Sequence, residues 1–211
     1  MKTTAEITKE YIDTHPSIKD CIRNNLVNYS KLAEKIAQEM HIEKKTSKDA
    51  IIVASRRYYE QLKPEKIHED QIMGILKNSE LEIKNKIVVA IVRKTVPSKV
   101  FLTLEEAIKR EQDIFYSIEG STAVTLITTL KHKDTIRRLL GEDVMKMSTD
   151  LAMITIKSPQ ELETTPGVIA YLYSLFGEHG INISETMSCW TNTIFIINEN
   201  DIPKAISFLK F

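Results

Sequence analysis

The pattern of apolar and polar positions changes character along the chain. Up to the first glycine, Gly74, apolar residues recur at helical spacing. Leu32, Ile36 and Met40 are four apart, and Ile51, Ala54, Tyr58 and Leu62 share one face, as core-facing helices require. These spacings predict helices over 4–14, 17–23, 30–40 and 47–62. Pro16 suits the first turn of the second, and Ser30 and Ser47 suit the N-caps of the third and fourth. Pro64 disfavours a helical residue before it, and 69–76 reads as a short helix or a linker.

From Glu80 the period shifts. Residues 81–92 begin with alternation and end as a continuous apolar run, the signature of a buried strand. A helix over 102–110 follows, in which Thr103 and Glu106 fit a capping box. Strands are expected at 113–117 and 123–130, with Glu119, Gly120 and Ser121 as the turn between them. Residues 133–140 form a helix stopped by Gly141, and 144–147 a short closing strand. Residues 151–211 then repeat the order: strand 151–156, helix 168–176, strands 181–184 and 193–197, and a helix over 200–209. Strand, helix, strand, strand, helix thus occurs twice, a duplication of architecture without a duplication of sequence.

Two stretches in the second copy are specific. Thr165-Pro166-Gly167-Val168 opens a helix, and Phe176-Gly177-Glu178-His179-Gly180-Ile181-Asn182-Ile183 closes it and starts a strand. With the tail from Thr193 to Ala205, these residues resemble the ACT domain at the regulatory end of aspartate kinases. Residues 80–149 resemble a degenerate copy by element order alone. The resemblance implies ferredoxin-like βαββαβ units that pair side by side or across a dimer. It also implies a small ligand, often an amino acid, bound at an interface near the first strand-to-helix loop. Carried onto this sequence, the ligand-binding residues are Ser158, Thr164, Thr165, Pro166, Gly167, Val168, Asn182 and Ile183. Thr164 stands where the family often has an acid, and the stretch 158–165 is longer than usual. The chemistry is consistent: a helix N-terminus offers unpaired N–H groups to a carboxylate, and Asn182 offers both a donor and an acceptor.

The expected fold class is α+β, with an N-terminal helix-turn-helix-like domain followed by two ferredoxin-like ACT units. The expected divisions are 1–66 for the helical head, 67–79 for a linker or short helix, 80–149 for the degenerate unit and 150–211 for the ACT domain. On the last head helix Lys48, Ser55, Arg56, Tyr59 and Lys63 are expected to share an outer face. A basic and aromatic face on a third helix suits entry into a DNA major groove, while a solvated face of a helical bundle is the plain alternative.

Composition adds exclusions. Lys+Arg and Asp+Glu both number 29, so no excess of positive charge marks the whole surface for nucleic acid. Two cysteines, Cys21 and Cys189, far apart, fit a reduced cytoplasmic setting. No apolar run approaches the ~20 residues that span a bilayer, so no membrane partner is expected. Nucleophile elbows, phosphate loops and dinucleotide fingerprints are missing, and the five histidines lack ligand spacing. No catalytic residue, metal or cofactor is expected. His179 reads as a turn residue, and the lone Trp190 as a hairpin residue facing a partner subunit.

The expected function is therefore a non-catalytic, amino-acid-responsive regulatory protein. It would act as a homodimer through its ACT units, binding an amino acid or related effector and controlling DNA binding by the head. Two alternatives stand beside it. One is a sensing subunit that docks on an enzyme of amino-acid biosynthesis; the other is a dimerising scaffold with no ligand.

Overall fold

The computed structural model describes residues 2–62 and 66–211. The chain falls into two units, Met1–Gln71 and Ile72–Phe211.

The first unit is built from α1 (Thr4–Asp13), α2 (Pro16–Arg23), α3 (Tyr29–Glu39) and α4 (Lys48–Leu62). Each start has a local cause. Thr3 and Glu6 form a capping box on α1. Pro16 occupies the first turn of α2. Asn28, not Ser30, caps α3, its side chain accepting from the N–H groups of Ser30 and Lys31 at 3.1 Å. Asn28 has the extended backbone a cap needs, and Ser30 is already inside the helix. Ser47 accepts from the Ala50 N–H at 3.2 Å, as expected for the start of α4.

The core of this unit gathers Ile12, Ile22, Ala33, Ile36, Ile51, Tyr58 and Leu62. Two tyrosines tie distant helices through their hydroxyls. Tyr11 donates to Glu39 at 2.6 Å and Tyr58 donates to Asp13. Burial, reinforced by Glu39, pushes the Tyr11 hydroxyl up to about 12.

Helix α5 (Lys66–Lys77) spans the division, and its Ile72, Ile75 and Leu76 belong to the core of the second unit. There follow β1 (Glu80–Arg93), α6 (Ser98–Arg110), β2 (Phe115–Glu119), β3 (Ala123–Thr129), α7 (Lys133–Leu140) and β4 (Val144–Lys157). The chain ends with α8 (Val168–Glu178), β5 (Ile183–Cys189), β6 (Asn192–Asn198) and α9 (Ile202–Phe208). All six strands form one antiparallel sheet in the order β2-β3-β1-β4-β6-β5.

Helix α6 starts at Ser98, and Thr103 lies inside it, bonding back to the Lys99 carbonyl at 2.9 Å instead of capping. Residues 144–147 and 151–156 are not separate strands but parts of β4, a single strand of 14 residues.

The two central strands carry the repeat. β1 and β4 are both 14 residues long and pair antiparallel from Glu80↔Lys157 to Val92↔Val144. The seventh residue of each, Lys86 and Asp150, is left-handed, with φ of 54° and 59°. Gln112 and Gly180, each three residues before the next strand, are left-handed too, with φ of 55° and 63°. The same backbone device therefore recurs at matched places despite dissimilar side chains.

Alternation along the strands sorts the core. Val88, Ala90, Val92, Val124 and Leu126 pack with Leu104 and Ile108 of α6 and Ile136 and Leu140 of α7. Ile154, Ile156, Phe195 and Ile197 pack with α5, α8 and Ala205 of α9. The intervening residues Ile87, Val89, Ile127, Leu151, Met153, Ile194 and Ile196 form a strand-only cluster on the opposite face. Side chains of both outer strands, Tyr116, Ile118 and Met187, pack against it.

Phe176 is fully buried, with its ring centroid 4.7 Å from that of Phe195 and 5.3 Å from that of Phe208. Phe176→Ala is expected to cost about 3–5 kcal/mol, through lost burial and the cavity left behind, and denaturant unfolding of the full chain measures it.

Candidate functional site

The stretch from Ser158 to Gly167 leaves the end of β4 as a short 3-10 turn over Gln160–Glu163 and then enters α8. Leu162 anchors it in the core. Thr164 and Thr165 both donate backbone N–H groups to the Glu161 carbonyl, at 3.2 and 3.0 Å. Gly167 is the N-cap of α8, with φ of 94°, a conformation costly for a residue with a side chain. A Cβ at Gly167 would lie 3.2 Å from Ile72 Cδ1, so α5 closes over this loop from one side. At the loop's other end the Ser79 hydroxyl meets the Ser158 hydroxyl at 3.0 Å. Thr164, Pro166 and Gly167 are exposed, and Val168 is buried beneath them.

The β5–β6 hairpin borders this loop. The Ser158 N–H donates to the Thr191 carbonyl at 2.9 Å. Next to Thr191 stands Trp190, 64 % exposed and left-handed at φ 53°, an unusual backbone for a bulky residue.

Asn182 and Ile183 lie elsewhere. Ile183 pairs with Ile197 at one end of β5–β6, whereas Cys189 pairs with Asn192 at the other. The loop continues from the Lys157↔Asn192 end. At ~3.3 Å per residue, Asn182 is separated from the Ser158 end by roughly 20 Å along the strand. One chain therefore does not bring these candidate ligand residues together. Asn182 is exposed, and its side chain has no hydrogen-bond partner among the described residues. His179 is structural: Nδ1 bonds the Leu175 carbonyl at 2.8 Å, and the ring stacks on Phe208 at 4.2 Å.

In the head the expected outer face of α4 is only partly present. Ser55 is fully buried and donates to the Ile51 carbonyl at 2.9 Å. The inward positions are 51, 55, 58 and 62, and a serine is tolerated there because its hydroxyl is satisfied within its own helix. Lys48 is paired with Glu34. Arg56 is exposed and lies 5.6 Å from the centroid of the Tyr29 ring. Tyr59 is half-buried against the core. Lys63 lies outside the described residues. Arg57, exposed, instead lines a cleft of about 580 Å³ between α1 and α4, together with Ala5, Ala50, Val53 and Ala54.

Sequence reasoning passed over two groups. One is Ile72 and Ser79, which brace the loop from α5 and from the residue just before β1. The other is a cleft formed by Lys84, Lys86, Asp113 and Lys131. These residues are far apart in sequence, and no spacing rule unites them.

No family model and no curated protein matches the chain in sequence. Solved structures match it in fold. An aspartate kinase from Clostridium acetobutylicum aligns with a TM-score of 0.52 at 14 % identity, over 62 % of this chain and 33 % of that one. The chain thus spans about a third of that enzyme's length. A putative C-terminal regulatory domain of aspartate kinase from Porphyromonas gingivalis aligns at 18 % identity, 62 % and 94 % coverage and a TM-score of 0.47. A Vibrio cholerae protein described as a possible transport protein aligns at 14 %, 67 % and 95 %, with a TM-score of 0.48. At such identities the likeness is one of fold: the α+β architecture occurs in part of the Clostridium enzyme. No helix among the described residues is long and apolar enough to cross a membrane.

Two outcomes follow from this geometry. Gly167→Ala is expected to lower stability by about 1–3 kcal/mol, because φ 94° is unfavourable for alanine and the new methyl meets Ile72; thermal unfolding reports it. Ser55→Ala is expected to leave any binding by the head unchanged, as the hydroxyl is not at the surface, whereas Arg56→Ala removes an exposed charge. Fluorescence anisotropy with labelled partner or DNA separates the two.

Proposed function

We propose that this protein is a non-catalytic regulator in which two ACT-like halves, 80–149 and 150–211, sense a small amino-acid-like effector. The observation that supports this best is the exposed loop Ser158–Gly167 at the N-terminus of α8, braced on one side by α5. The first-turn N–H groups of α8 point out of the helix end and favour a carboxylate. Asn182 supplies a second polar contact, but from the far end of β5.

The two parts meet if β5 pairs antiparallel with β5 of a second copy. That strand is a sheet edge, with Ser184, Thr186 and Ser188 exposed along it. Antiparallel pairing sets the 182 end of one copy beside the loop end of the other, and it brings exposed Trp190 to the junction. The effector site is then shared between chains, and ligand binding stabilises the homodimer.

The head carries the output. DNA remains the first partner to test, through Arg56 and Arg57. A second reading, docking on a metabolic enzyme, is supported by the cleft between α1 and α4. Its floor of small residues and the exposed Val53 suit a partner's helix better than a phosphate backbone.

The test is a thermal-shift series with the twenty amino acids on the full chain. A ligand at ~100-fold excess over its Kd stabilises by about 2.7 kcal/mol. Asn182→Ala and Gly167→Ala should each abolish the shift, and a mixture of the two variants should recover part of it, because one of two shared sites is rebuilt in each mixed dimer. No shift with any amino acid sinks the amino-acid reading. A shift that mixing fails to recover sinks the shared site.

A further inference from the structure

The left-handed kink in β1 borders a second cleft, distinct from the Ser158–Gly167 loop. Lys84, Asn85 and Lys86 form one wall of an open cleft of about 480 Å³, and Asp113 with Thr129, Leu130 and Lys131 forms the other. Asp113 has 7 % of its side chain exposed. It is held by the Ile114 N–H at 2.8 Å, the Thr129 hydroxyl and His132 Nε2 at 3.2 Å. Lys131 Nζ stands 3.1 Å away and Lys84 Nζ 3.5 Å. Burial by itself would raise this carboxyl, but Thr129, Ile114 and Lys131 outweigh it and hold Asp113 well below the usual carboxylate range.

Three ammonium groups therefore line the cleft against one carboxylate, an excess of two positive charges. Glu111 also approaches Lys131, at 3.3 Å, from outside the cleft lining. Lys86 makes no ion pair among the described residues.

The matched half shows that the fold does not demand these residues. At the same strand positions as Lys84 and Lys86, β4 has Ser148 and Asp150, and it makes the same left-handed kink. In place of Asp113, two residues before the strand, stands buried Ile181; in place of Lys131, two residues after the strand, stands Asn200. An apolar residue thus solves the packing problem in one half. In the other, a buried carboxylate with five donors around it does so at a desolvation cost. Asp113 holds Lys84 and Lys131 at the mouth of the cleft.

We propose that the Lys84–Lys86–Lys131 cleft is an anion site that takes a small phosphorylated molecule by its phosphoryl group. Three point charges lining one cleft, two from β1 and one from the turn after β3, match a tetrahedral dianion, whereas a single planar carboxylate is matched better by a guanidinium fork. The excess charge in the cleft equals that of the dianion.

The experiment is an amide NMR titration of the full chain with inorganic phosphate at low, constant ionic strength, with malonate as the dicarboxylate comparison. Saturable shifts confined to residues 84–86, 113–114 and 129–132 are expected with phosphate. Lys86→Asn removes the charge and suits the left-handed backbone, so the fold is retained. It and Lys131→Gln should each weaken binding by about tenfold, since one charge-assisted contact is lost. Lys99→Gln, at an exposed position of α6 outside the cleft, should change nothing. No saturable shift with phosphate, an unchanged affinity in Lys86→Asn, or malonate binding equal to phosphate would each overturn the proposal.

Discussion

The antiparallel pairing of β1 with β4 is the constraint on which the second unit depends. Each strand is flanked by the other and, over its second half, by a strand of its own repeat: β3 beside β1 and β6 beside β4. Neither repeat is complete without the long strand of its neighbour. Such strands cannot keep both halves' core residues on the helical face unless the alternation slips. The left-handed residues Lys86 and Asp150 lie at two such slips, the register shifts between Lys84 and Ile87 and between Ile87 and Val89; a third shift falls between Ile91 and Val92. The result is one face covered by helices and an opposite face where Ile87, Leu151 and Met153 form a continuous apolar seam.

The placement of polar groups follows from this frame. At the position two residues before the outer strand the two halves differ: Ile181 is buried in the hydrophobic core, whereas Asp113 is a buried carboxylate satisfied by Thr129, His132 and the Ile114 N–H. At the far end of β4, the loop Ser158–Gly167 is pinned between α5 and the tip of the β5–β6 hairpin, and Gly167 is the residue whose backbone permits the entry into α8. In the head, by contrast, polar groups tie helices: Tyr11 to Glu39 and Tyr58 to Asp13 hold separate helices at fixed spacing around an isoleucine core.

Much of the candidate site was legible in the sequence, and its assembly was not. Pro166-Gly167 marked a helix entry, and Gly180-Ile181-Asn182 marked a strand entry, because turn chemistry is local. That Asn182 sits about 20 Å along β5 from the Ser158 end of the loop depends on how β4, β6 and β5 pair, which no local pattern encodes. Ser55 is the converse case. Its polarity suggested a surface, but its spacing from Ile51, Tyr58 and Leu62 placed it inside, and the helix's own carbonyl satisfied it.

What the sequence determined by itself is the succession of elements: a glycine-free helical head, then two rounds of strand, helix, strand, strand, helix. Burial imprints a period on each element, and that period survives in the order of residues. Only the tertiary structure decided that 144–157 is one strand, since residues 145–150 are half-covered at most and show no clean alternation. It alone gathered Lys84, Lys86, Asp113 and Lys131 around one cleft, and it alone set α5 against Gly167. The physical reason is the same in each case: side chains many residues apart meet through strand pairing and helix packing, and those depend on the whole sheet, not on any window of the chain.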